Sequence, residues 1–191
     1  RFLKSAGYTR SFDTVTFQLL NKHISETDSS QYLEAVAAGV SAGILSEAGC
    51  PCIADPGQII VGQAHREGIR VVPLVGPSSI LMALMASGMN GQSFVFNGYL
   101  PKQQHERIKA IRELESNSRR SGATQIFMET PFRNNQVTSD LLQACHPGTR
   151  LCIAADISTS NEYIRTYTIG HWRKTGFPDL NKRPAIFLIS A

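Results

Sequence analysis

Cysteines and the common nucleotide-binding glycine motifs are scarce in this sequence of 191 residues. The four cysteines do not have the spacing of a secreted disulfide framework, so we expect a reducing, cytoplasmic setting. Neither they nor the five histidines are spaced like metal ligands, which predicts a protein without a metal site. The sequence contains no Gly-x-Gly and no glycine followed by lysine, which excludes the usual dinucleotide fingerprint and the P-loop.

A long run without charge, residues 71–101, is the one stretch that resembles a membrane segment. A spanning helix needs about 20 consecutive apolar residues. Pro73, Gly76 and Pro77 interrupt the run early, and Gly88 interrupts it again. We therefore expect a buried strand, a turn and a helix here, and no membrane partner.

The charges are divided unevenly between the two halves of the chain. Residues 1–95 hold six basic and seven acidic side chains, whereas residues 96–191 hold thirteen basic and eight acidic ones. An excess of positive charge in one half indicates an anionic partner there. A solvated basic surface without a partner explains the same counts, and both interpretations stay open.

Short apolar runs alternate with helical patterns through the first half, as they do in an α/β fold. The runs predict strands at 15–19, 40–45 and 69–74, with a helix at 31–38. Strand–helix–strand units with short connections predict a parallel sheet.

Two further helices in the first half have clear end signals. Asp55 is a good N-cap for a helix from Pro56, and Gly68 is expected to end that helix. Ser78 or Ser79 is expected to cap the next helix, which should end at a glycine, residue 88.

Past residue 90 the pattern becomes richer in strands, so we place a domain boundary near residues 89–92. This gives an N-terminal α/β domain at 1–90 and a C-terminal α/β domain at 91–191. The pattern in the second domain predicts strands at 93–97, 124–128, 151–155, 163–169 and 185–189, with helices at 104–116 and 133–144.

The segment from Leu45 to Gly57 is the strongest candidate for a ligand loop. It leaves a predicted strand, turns through small residues and enters the helix at Asp55. Ligands of open parallel sheets bind outside the carboxyl ends of the strands, where small residues allow close approach of the main chain. The nearby Gly39–Gly43 matches G-x-S-x-G, but a helix precedes it and a strand follows it, which is the reverse of a hydrolase elbow.

Several motifs occur in an order that resembles one family. They are Ser46–Gly57, Gly68–Ser79, Ala86–Gly88, Phe96–Pro101 and Thr124–Arg133. Together they resemble the tetrapyrrole-methylase-like family of S-adenosylmethionine-dependent methyltransferases. Within it the chain is most similar to the ribosomal RNA small subunit methyltransferases, which 2′-O-methylate a cytidine of the decoding centre.

The resemblance implies two α/β domains with S-adenosylmethionine in the cleft between them, in a homodimer that acts on RNA of the small ribosomal subunit. It also implies which residues contact the methyl donor. These are Glu47, Ala48, Gly49, Cys50, Pro51, Ile53, Ser78, Ser79, Met128, Glu129, Pro184 and Ala185.

The acceptor and the catalytic base are less well defined by the resemblance. A 2′-hydroxyl is a poor nucleophile, so help from a base or a favourable field is expected, with Lys22, His23 and Glu129 as polar candidates. Residues 155–158 (Ala-Asp-Ile-Ser) stand where the RNA-modifying branch tends to have Arg-Glu-Leu-Thr. Two alternatives therefore stay open, a methyltransferase of a small tetrapyrrole-like metabolite and a non-catalytic RNA-binding relative.

The start of the chain also differs from the family pattern. The family opens with an apolar strand, and Arg1 begins a segment with helical character instead. We expect further residues to precede Arg1 in the whole protein.

Overall fold

The computed structural model describes residues 2–20 and 29–191. Its contacts divide the chain into two compact units, with the division between Gly76 and Pro77. Short helices and loops make up the described part of the first unit, and a β-sheet organises the second. The α/β class predicted from the sequence is confirmed. The functional domain boundary at residues 89–92 stays a prediction.

The first unit has a small apolar core between short helices. The helices are α1 (Phe2–Ser5), α2 (Glu34–Ala37) and α3 (Gly57–Arg66), with 3-10 turns at Phe12–Thr14 and Ser29–Tyr32. Leu33, Ile60 and Ala64 are buried together. Gly68, with φ of 68°, follows α3 as predicted, and the N–H of Ile69 donates to the carbonyl of Ala64 (2.8 Å). The helix predicted at 31–38 is divided between the second 3-10 turn and α2.

The three strands predicted in the first half, and the parallel sheet they would form, are wrong. Residues 15–19, 40–45 and 69–74 are irregular, and no strand occurs in the described residues of this unit. A strand persists only where a neighbouring segment pairs with its backbone and covers its apolar side chains. Here Leu74 is 89% exposed. The apolar pattern therefore indicated strand propensity, but no neighbouring segment pairs with these backbones in the described residues.

The second unit contains one five-stranded mixed sheet. Its strands are β1 (Phe94–Tyr99), β2 (Thr124–Met128), β3 (Arg150–Ala155), β4 (Tyr163–Thr168) and β5 (Ala185–Ser190). The spatial order is β1-β2-β5-β3-β4. β1 and β2 are parallel, whereas the other neighbours are antiparallel. The five strands predicted for this half are confirmed within a residue or two at each end.

Four helices and a 3-10 turn cover the sheet. They are α4 (Ser79–Ser87), α5 (Gln104–Ser121), the turn Pro131–Arg133, α6 (Asn134–Ala144) and α7 (Ile169–Thr175). On one face, α4 packs over side chains such as Ile126 and Leu188. On the other, α5, α6 and α7 pack over side chains such as Phe127 and Phe187. A sheet covered on both faces explains why its central strands are continuous apolar runs.

Two of these helices differ from the sequence-based prediction. α5 continues to Ser121 because its last turn is anchored at Ser118, whose buried Oγ accepts the N–H of Ala191 (3.1 Å). α7 was not predicted; Thr168 caps it by accepting the N–H of His171 (3.2 Å).

The uncharged run at 71–101 contains α4, and the rest of the run is loop or strand. In the described parts of the chain, no helix has the length and apolarity needed to cross a bilayer.

Candidate functional site

Asp55 organises the candidate ligand loop of the first unit. Its Oδ1 accepts hydrogen bonds from the N–H groups of Gly57 (2.9 Å) and Cys52 (3.3 Å). Its Oδ2 accepts one from Ser46 Oγ (3.0 Å). One carboxylate thus joins the start of the loop, its middle and the start of α3. The predicted helix start is wrong by one residue, because Pro56 is the N-cap and the helix begins at Gly57, although Asp55 still accepts the N–H of Gly57.

The loop backbone needs small residues at defined points. Gly49, Cys52 and Ala54 have left-handed φ values of 71°, 70° and 56°. Glycine adopts this conformation freely, whereas other residues lose about 1–2 kcal/mol each. A Cβ on Gly57 would lie 3.0 Å from both Asp55 Oδ1 and Cys52 Sγ. The side chain of residue 57 therefore has to be absent for the carboxylate to reach its partners.

The donor contacts predicted in this loop are accessible to different degrees. Glu47, Ala48, Gly49 and Ile53 are exposed, whereas Cys50 and Pro51 are half buried. Inside the loop, the N–H of Ile53 donates to the Cys50 carbonyl (3.3 Å). Their contact with a methyl donor stays a prediction.

The environment of Cys52 disfavours the thiolate form that binds metals. Burial raises the pKa of the Cys52 thiol, and the Asp55 carboxylate raises it further. Both effects favour the protonated thiol, which is a poor metal ligand. Across residues 2–20 and 29–191, no three His, Cys, Asp or Glu side chains are placed to hold one ion.

Four predicted donor contacts of the second unit lie together where β2 ends and β5 begins. We refer to this end of the strands as the sheet edge. In the antiparallel pair of β2 and β5, Met128 is opposite Ile186. The same register continued by one residue brings Glu129 opposite Ala185, with Pro184 next to it. The sheet therefore brings together two segments that are far apart in the sequence.

Glu129 is the most unusual side chain at this edge. It is 4% exposed. Its Oε1 accepts the N–H of Thr130 (2.6 Å) and is ion-paired with the guanidinium of Arg133. Its Oε2 is buried and accepts no hydrogen bond from any residue that the structure describes. A buried carboxylate oxygen without a donor is costly, which makes it a candidate ligand contact.

A second ion pair holds the start of β5. Arg183 Nε donates to Asp156 Oδ2 (2.6 Å), and Asn134 Nδ2 donates to the Arg183 carbonyl (2.6 Å). The N–H of Asp156 donates to the Pro184 carbonyl (2.9 Å). These bonds fix Pro184 against the end of β3 and the start of α6. The predicted pair Pro184–Ala185 thus sits in a rigid part of the fold.

The predicted serine contacts lie at the start of α4. Ser78 is the N-cap residue, as predicted, but its side chain makes no capping bond, and Ser79 is the first helical residue. Ile80, in the first turn, packs in the same apolar cluster as Met128. Met82 Sδ accepts a hydrogen bond from Ser158 Oγ (3.9 Å), three residues past the end of β3, so the first turn of α4 lies at the same end of the sheet as Ala185 and Glu129.

A buried ion pair shapes the loop after β1 at the same edge. Arg107 Nε and Nη2 are each 2.7 Å from Asp140 Oδ2, and both residues are buried. Arg107 Nη1 donates to the carbonyls of Lys102 (2.7 Å) and Pro101 (3.2 Å). Because β1 runs parallel to β2, this loop and Glu129 follow strand ends on the same side of the sheet.

Two of the three catalytic candidates, Lys22 and His23, lie outside the described residues. Sequence reasoning missed the three arginines that hold carboxylates around the edge, Arg107, Arg133 and Arg183. Glu129 and Arg133 are four residues apart, which is a detectable signal. The other two arginines find their partners only through the tertiary fold.

Comparison with known proteins places the chain in a family. Residues 6–172 match the family described as Tetrapyrrole (Corrin/Porphyrin) Methylases. The chain belongs to this family. The resemblance that the motifs predicted is therefore confirmed.

Two curated relatives share a name. The chain is 33% identical over 149 residues to Ribosomal RNA small subunit methyltransferase I of Mesorhizobium japonicum, covering 78% of this chain and 49% of that protein. It is 35% identical over 155 residues to the protein of the same name from Halalkalibacterium halodurans, covering 74% and 52%. The chain thus spans about half the length of the curated relatives it matches.

A solved structure supports the fold. The methyltransferase CobJ superposes with a TM-score of 0.58 at 18% identity, covering 90% of this chain and 73% of that one. At this identity the likeness concerns the fold alone.

Proposed function

We propose that this chain belongs to an S-adenosylmethionine-dependent methyltransferase that 2′-O-methylates RNA of the small ribosomal subunit. The observation that carries the proposal is the buried, unpartnered Oε2 of Glu129 at the sheet edge of a tetrapyrrole-methylase chain. The relatives named as ribosomal RNA small subunit methyltransferases favour RNA as the acceptor.

The residues at this edge fit the nucleoside part of the donor. Glu129 Oε2 is an acceptor for a ribose hydroxyl or an adenine amino group. Arg133 holds the other carboxylate oxygen, so the orientation of the side chain is set before a ligand arrives. Ala185 and Pro184 supply small apolar surface and no competing side-chain donor. Met128, Ser78 and Ser79 would complete the contacts of this unit.

The loop of the first unit would contact the same donor through its main chain. Glu47, Ala48 and Gly49 are exposed and free of bulky apolar groups. Asp55 holds the loop in shape from behind, so the exposed peptide groups are already ordered. We propose that Glu47, Ala48, Gly49, Cys50, Pro51 and Ile53 form this second set of contacts with the donor.

The chemistry asks little beyond alignment from these residues. When bound, S-adenosylmethionine supplies a methyl group that is attached to a sulfonium. Transfer of this methyl group leaves a neutral thioether. Glu129 and its neighbours would hold the nucleoside and so orient the methyl group toward the acceptor oxygen. Because one Glu129 oxygen is paired with Arg133 and the other accepts from the nucleoside, we assign Glu129 to binding rather than to proton transfer.

The proton of the 2′-hydroxyl would then leave through another group. Lys22 and His23 are the candidates that the sequence offers. Unchanged turnover per bound donor in the His23→Ala variant would remove His23 from this role.

The proposed partners follow from charge and surface. The excess of basic side chains after residue 95 suits RNA, since neutralised phosphates supply much of the affinity. Leu81 and Met85, four residues apart on α4, are exposed, and we propose that they contribute to a homodimer contact. The four cysteines lack the spacing of a disulfide framework, which fits a cytoplasmic protein.

Calorimetry with S-adenosylmethionine tests the donor. We expect saturable heat when S-adenosylmethionine is titrated into the protein. Absence of heat at high donor concentration in the whole protein would favour a non-catalytic RNA-binding relative.

Transfer of labelled methyl groups tests the acceptor. We expect label in immature small ribosomal subunits and none in a metabolite extract. Label that appears only in the extract would favour the small-metabolite alternative.

A further inference from the structure

We propose that the outer strand β4, with the start of α7, forms a surface that binds unpaired RNA by base stacking. The surface consists of Tyr163, Arg165, Tyr167 and His171, and we call it the aromatic–basic strip. This inference deepens the proposed function and rests on it, since it names the surface by which the RNA substrate would be held.

The strip is a consequence of strand alternation. Tyr163, Arg165 and Tyr167 are alternate residues of β4 and therefore share one face of the sheet. β4 is the last strand in the sheet order, so β3 pairs with one side of it only. Arg165 and Tyr167 are exposed, and Tyr163 is half buried. An edge strand with one exposed and one half-buried ring on the same face is accessible to a ligand that stacks.

The rings of the strip are held by their neighbours. Tyr167 stacks on His171 with 4.2 Å between centroids and makes an edge contact with Trp172 at 5.0 Å. Trp172 is itself fixed, because its Nε1 donates to the Leu151 carbonyl (3.0 Å). Tyr167 nevertheless remains 38% exposed. A ring that is already ordered loses little entropy when a base stacks on it.

A cation lies between the two tyrosines. The guanidinium of Arg165 is 5.8 Å from the centre of the Tyr163 ring. Arg165 forms no ion pair with an acidic residue of the described chain. Residues 163–175 include Arg165, Arg173 and Lys174 and no Asp or Glu. Glu162, which is exposed, precedes this segment, and Arg173 donates to the carbonyls of Leu142 and Cys145, so Arg165 is the cation that the strip itself offers to a phosphate.

The strip leads toward the candidate donor edge. Ala185 pairs with Ala155, and Ala155 pairs with Tyr163. With Glu129 opposite Ala185, these four residues form one row across the sheet. Since adjacent strands are about 4.8 Å apart, Tyr163 begins roughly 14 Å from Glu129. A strand of RNA lying along β4 would thus run to the edge where the methyl group is transferred.

Stacking rings with an interleaved cation favour single-stranded over duplex RNA. In a duplex the base faces are covered by neighbouring pairs, whereas unpaired bases stack on aromatic side chains without regard to sequence. The other outer strand, β1, contrasts with this arrangement, because residues 94–99 contain no charged side chain. The outer strands β4 and β1 therefore allow RNA binding to be compared between a strand that carries a cation and one without charge.

The test is a binding titration of the 191-residue chain with fluorescent RNA. The probes are a 12-nucleotide unpaired RNA, the same sequence in a hairpin stem, and an oligomer of equal charge with abasic sites. We expect the unpaired RNA to bind most tightly. Tyr167→Leu should weaken its binding about fivefold or more, with little effect on the abasic oligomer. Arg165→Gln should weaken binding of all three and lower the salt slope by about one.

Matched controls keep the outcome interpretable. Arg112→Gln removes an exposed cation from α5, and Phe94→Leu shortens an exposed ring on β1; neither should change the affinity for unpaired RNA. Thermal unfolding verifies that Tyr167→Leu is folded, and His171→Ala provides a second stacking variant that leaves Trp172 in place.

Several results would overturn the inference. They are equal binding of the unpaired and abasic oligomers, no RNA binding at all, or control variants that weaken binding as much as the strip variants. Donor calorimetry and methyl transfer are measured on the same variants. If the strip variants bind RNA normally and methyl transfer continues, the strip is wrong and the proposed function stands. If methyl transfer is absent although the strip binds RNA, the proposed function fails instead.

Discussion

The two units of this chain achieve order by different means. In the first unit, a single carboxylate, Asp55, collects backbone and side-chain donors and so shapes the loop at 46–57. In the second unit, the pairing of strands sets the positions of Glu129 and Ala185, and ion pairs then adjust the loops. A carboxylate that binds several backbone groups needs specific small residues around it. A sheet tolerates more variation in sequence as long as its faces stay apolar.

The difference also concerns burial. The sheet of the second unit has apolar cover on both faces, whereas apolar side chains such as Leu74 in the first unit stay exposed. Stability should therefore be concentrated in the second unit. Substitutions in both units test this contrast.

Removal of the buried arginine should have the largest effect. In Arg107→Met, Asp140 is left buried without its cation, so the free energy of unfolding of the second unit should fall by about 3–5 kcal/mol. Urea unfolding followed by the fluorescence of Trp172 measures it. Arg112→Met, on the exposed side of the same helix, should change stability by less than about 0.5 kcal/mol. A loss below 1 kcal/mol for Arg107→Met would contradict the structural role given to this pair.

The carboxylate of Glu129 should matter for binding more than for folding. Glu129→Gln replaces a charged acceptor by a neutral amide, and we expect donor affinity to fall about tenfold or more, since hydrogen bonds to charged groups contribute about 1.5–3 kcal/mol. Calorimetry on the whole protein measures the change. Glu113→Gln, an exposed change of the same kind on α5, serves as the control. Equal donor affinities of wild type and Glu129→Gln would remove Glu129 from the site.

A methyl group at residue 57 should disturb the first unit. In Gly57→Ala the new Cβ collides with Asp55 and Cys52, which should cost about 1–3 kcal/mol by overpacking. Hydrogen exchange of the amides at 46–57 should show faster opening. Gly62→Ala lies in the same helix with only Arg66 nearby at 3.8 Å, and it should stabilise by about 0.4–1 kcal/mol. If Gly57→Ala and Gly62→Ala changed the free energy of unfolding in the same direction, the close packing at residue 57 would be refuted.

The rate of thiol alkylation should also differ between the two units, with a smaller effect than the substitutions above. Burial, reinforced by Glu115 and partly opposed by Arg173, raises the pKa of Cys145 to about 12. Cys52 lies in a more accessible loop, so iodoacetamide at pH 9 should label Cys52 well before Cys145. Mass spectrometry of the two peptides gives the order. Equal rates in the folded chain, as expected only in denaturant, would contradict the burial of Cys145.

The same shift implies a pH dependence of stability. An unfolded Cys145 ionises near its ordinary pKa of 9.0, whereas the folded thiol holds its proton to about 12. Its contribution to stability is thus complete below pH 9 and decreases as the pH rises toward 12. Cys145→Ala should make the unfolding free energy decline less between pH 9 and pH 10.5.

Local patterns predicted much of the second unit and little of the first. Apolar runs such as 151–155 and 185–189 are strands because each finds a partner on both sides. Runs such as 69–74 carry the same signal but stay irregular for want of a neighbour. The motif order predicted the family, and the position of Asp55 before Pro56 predicted the start of α3 to within one residue. The arginines paired with Asp140 and Asp156 gave no signal, since their partners are remote in sequence.

Residue types and their spacing were enough to determine the α/β class, the helix ends at Gly68 and Gly88, and the family to which the chain belongs. Only the tertiary structure decided that Glu129 would be buried opposite Ala185, with one oxygen that no described residue contacts by a hydrogen bond. It also decided that Tyr163, Arg165 and Tyr167 would lie on the outer strand β4. The physical reason is that capping and periodicity act within a few residues. Strand register and ion pairing depend on segments that meet only after the chain has folded.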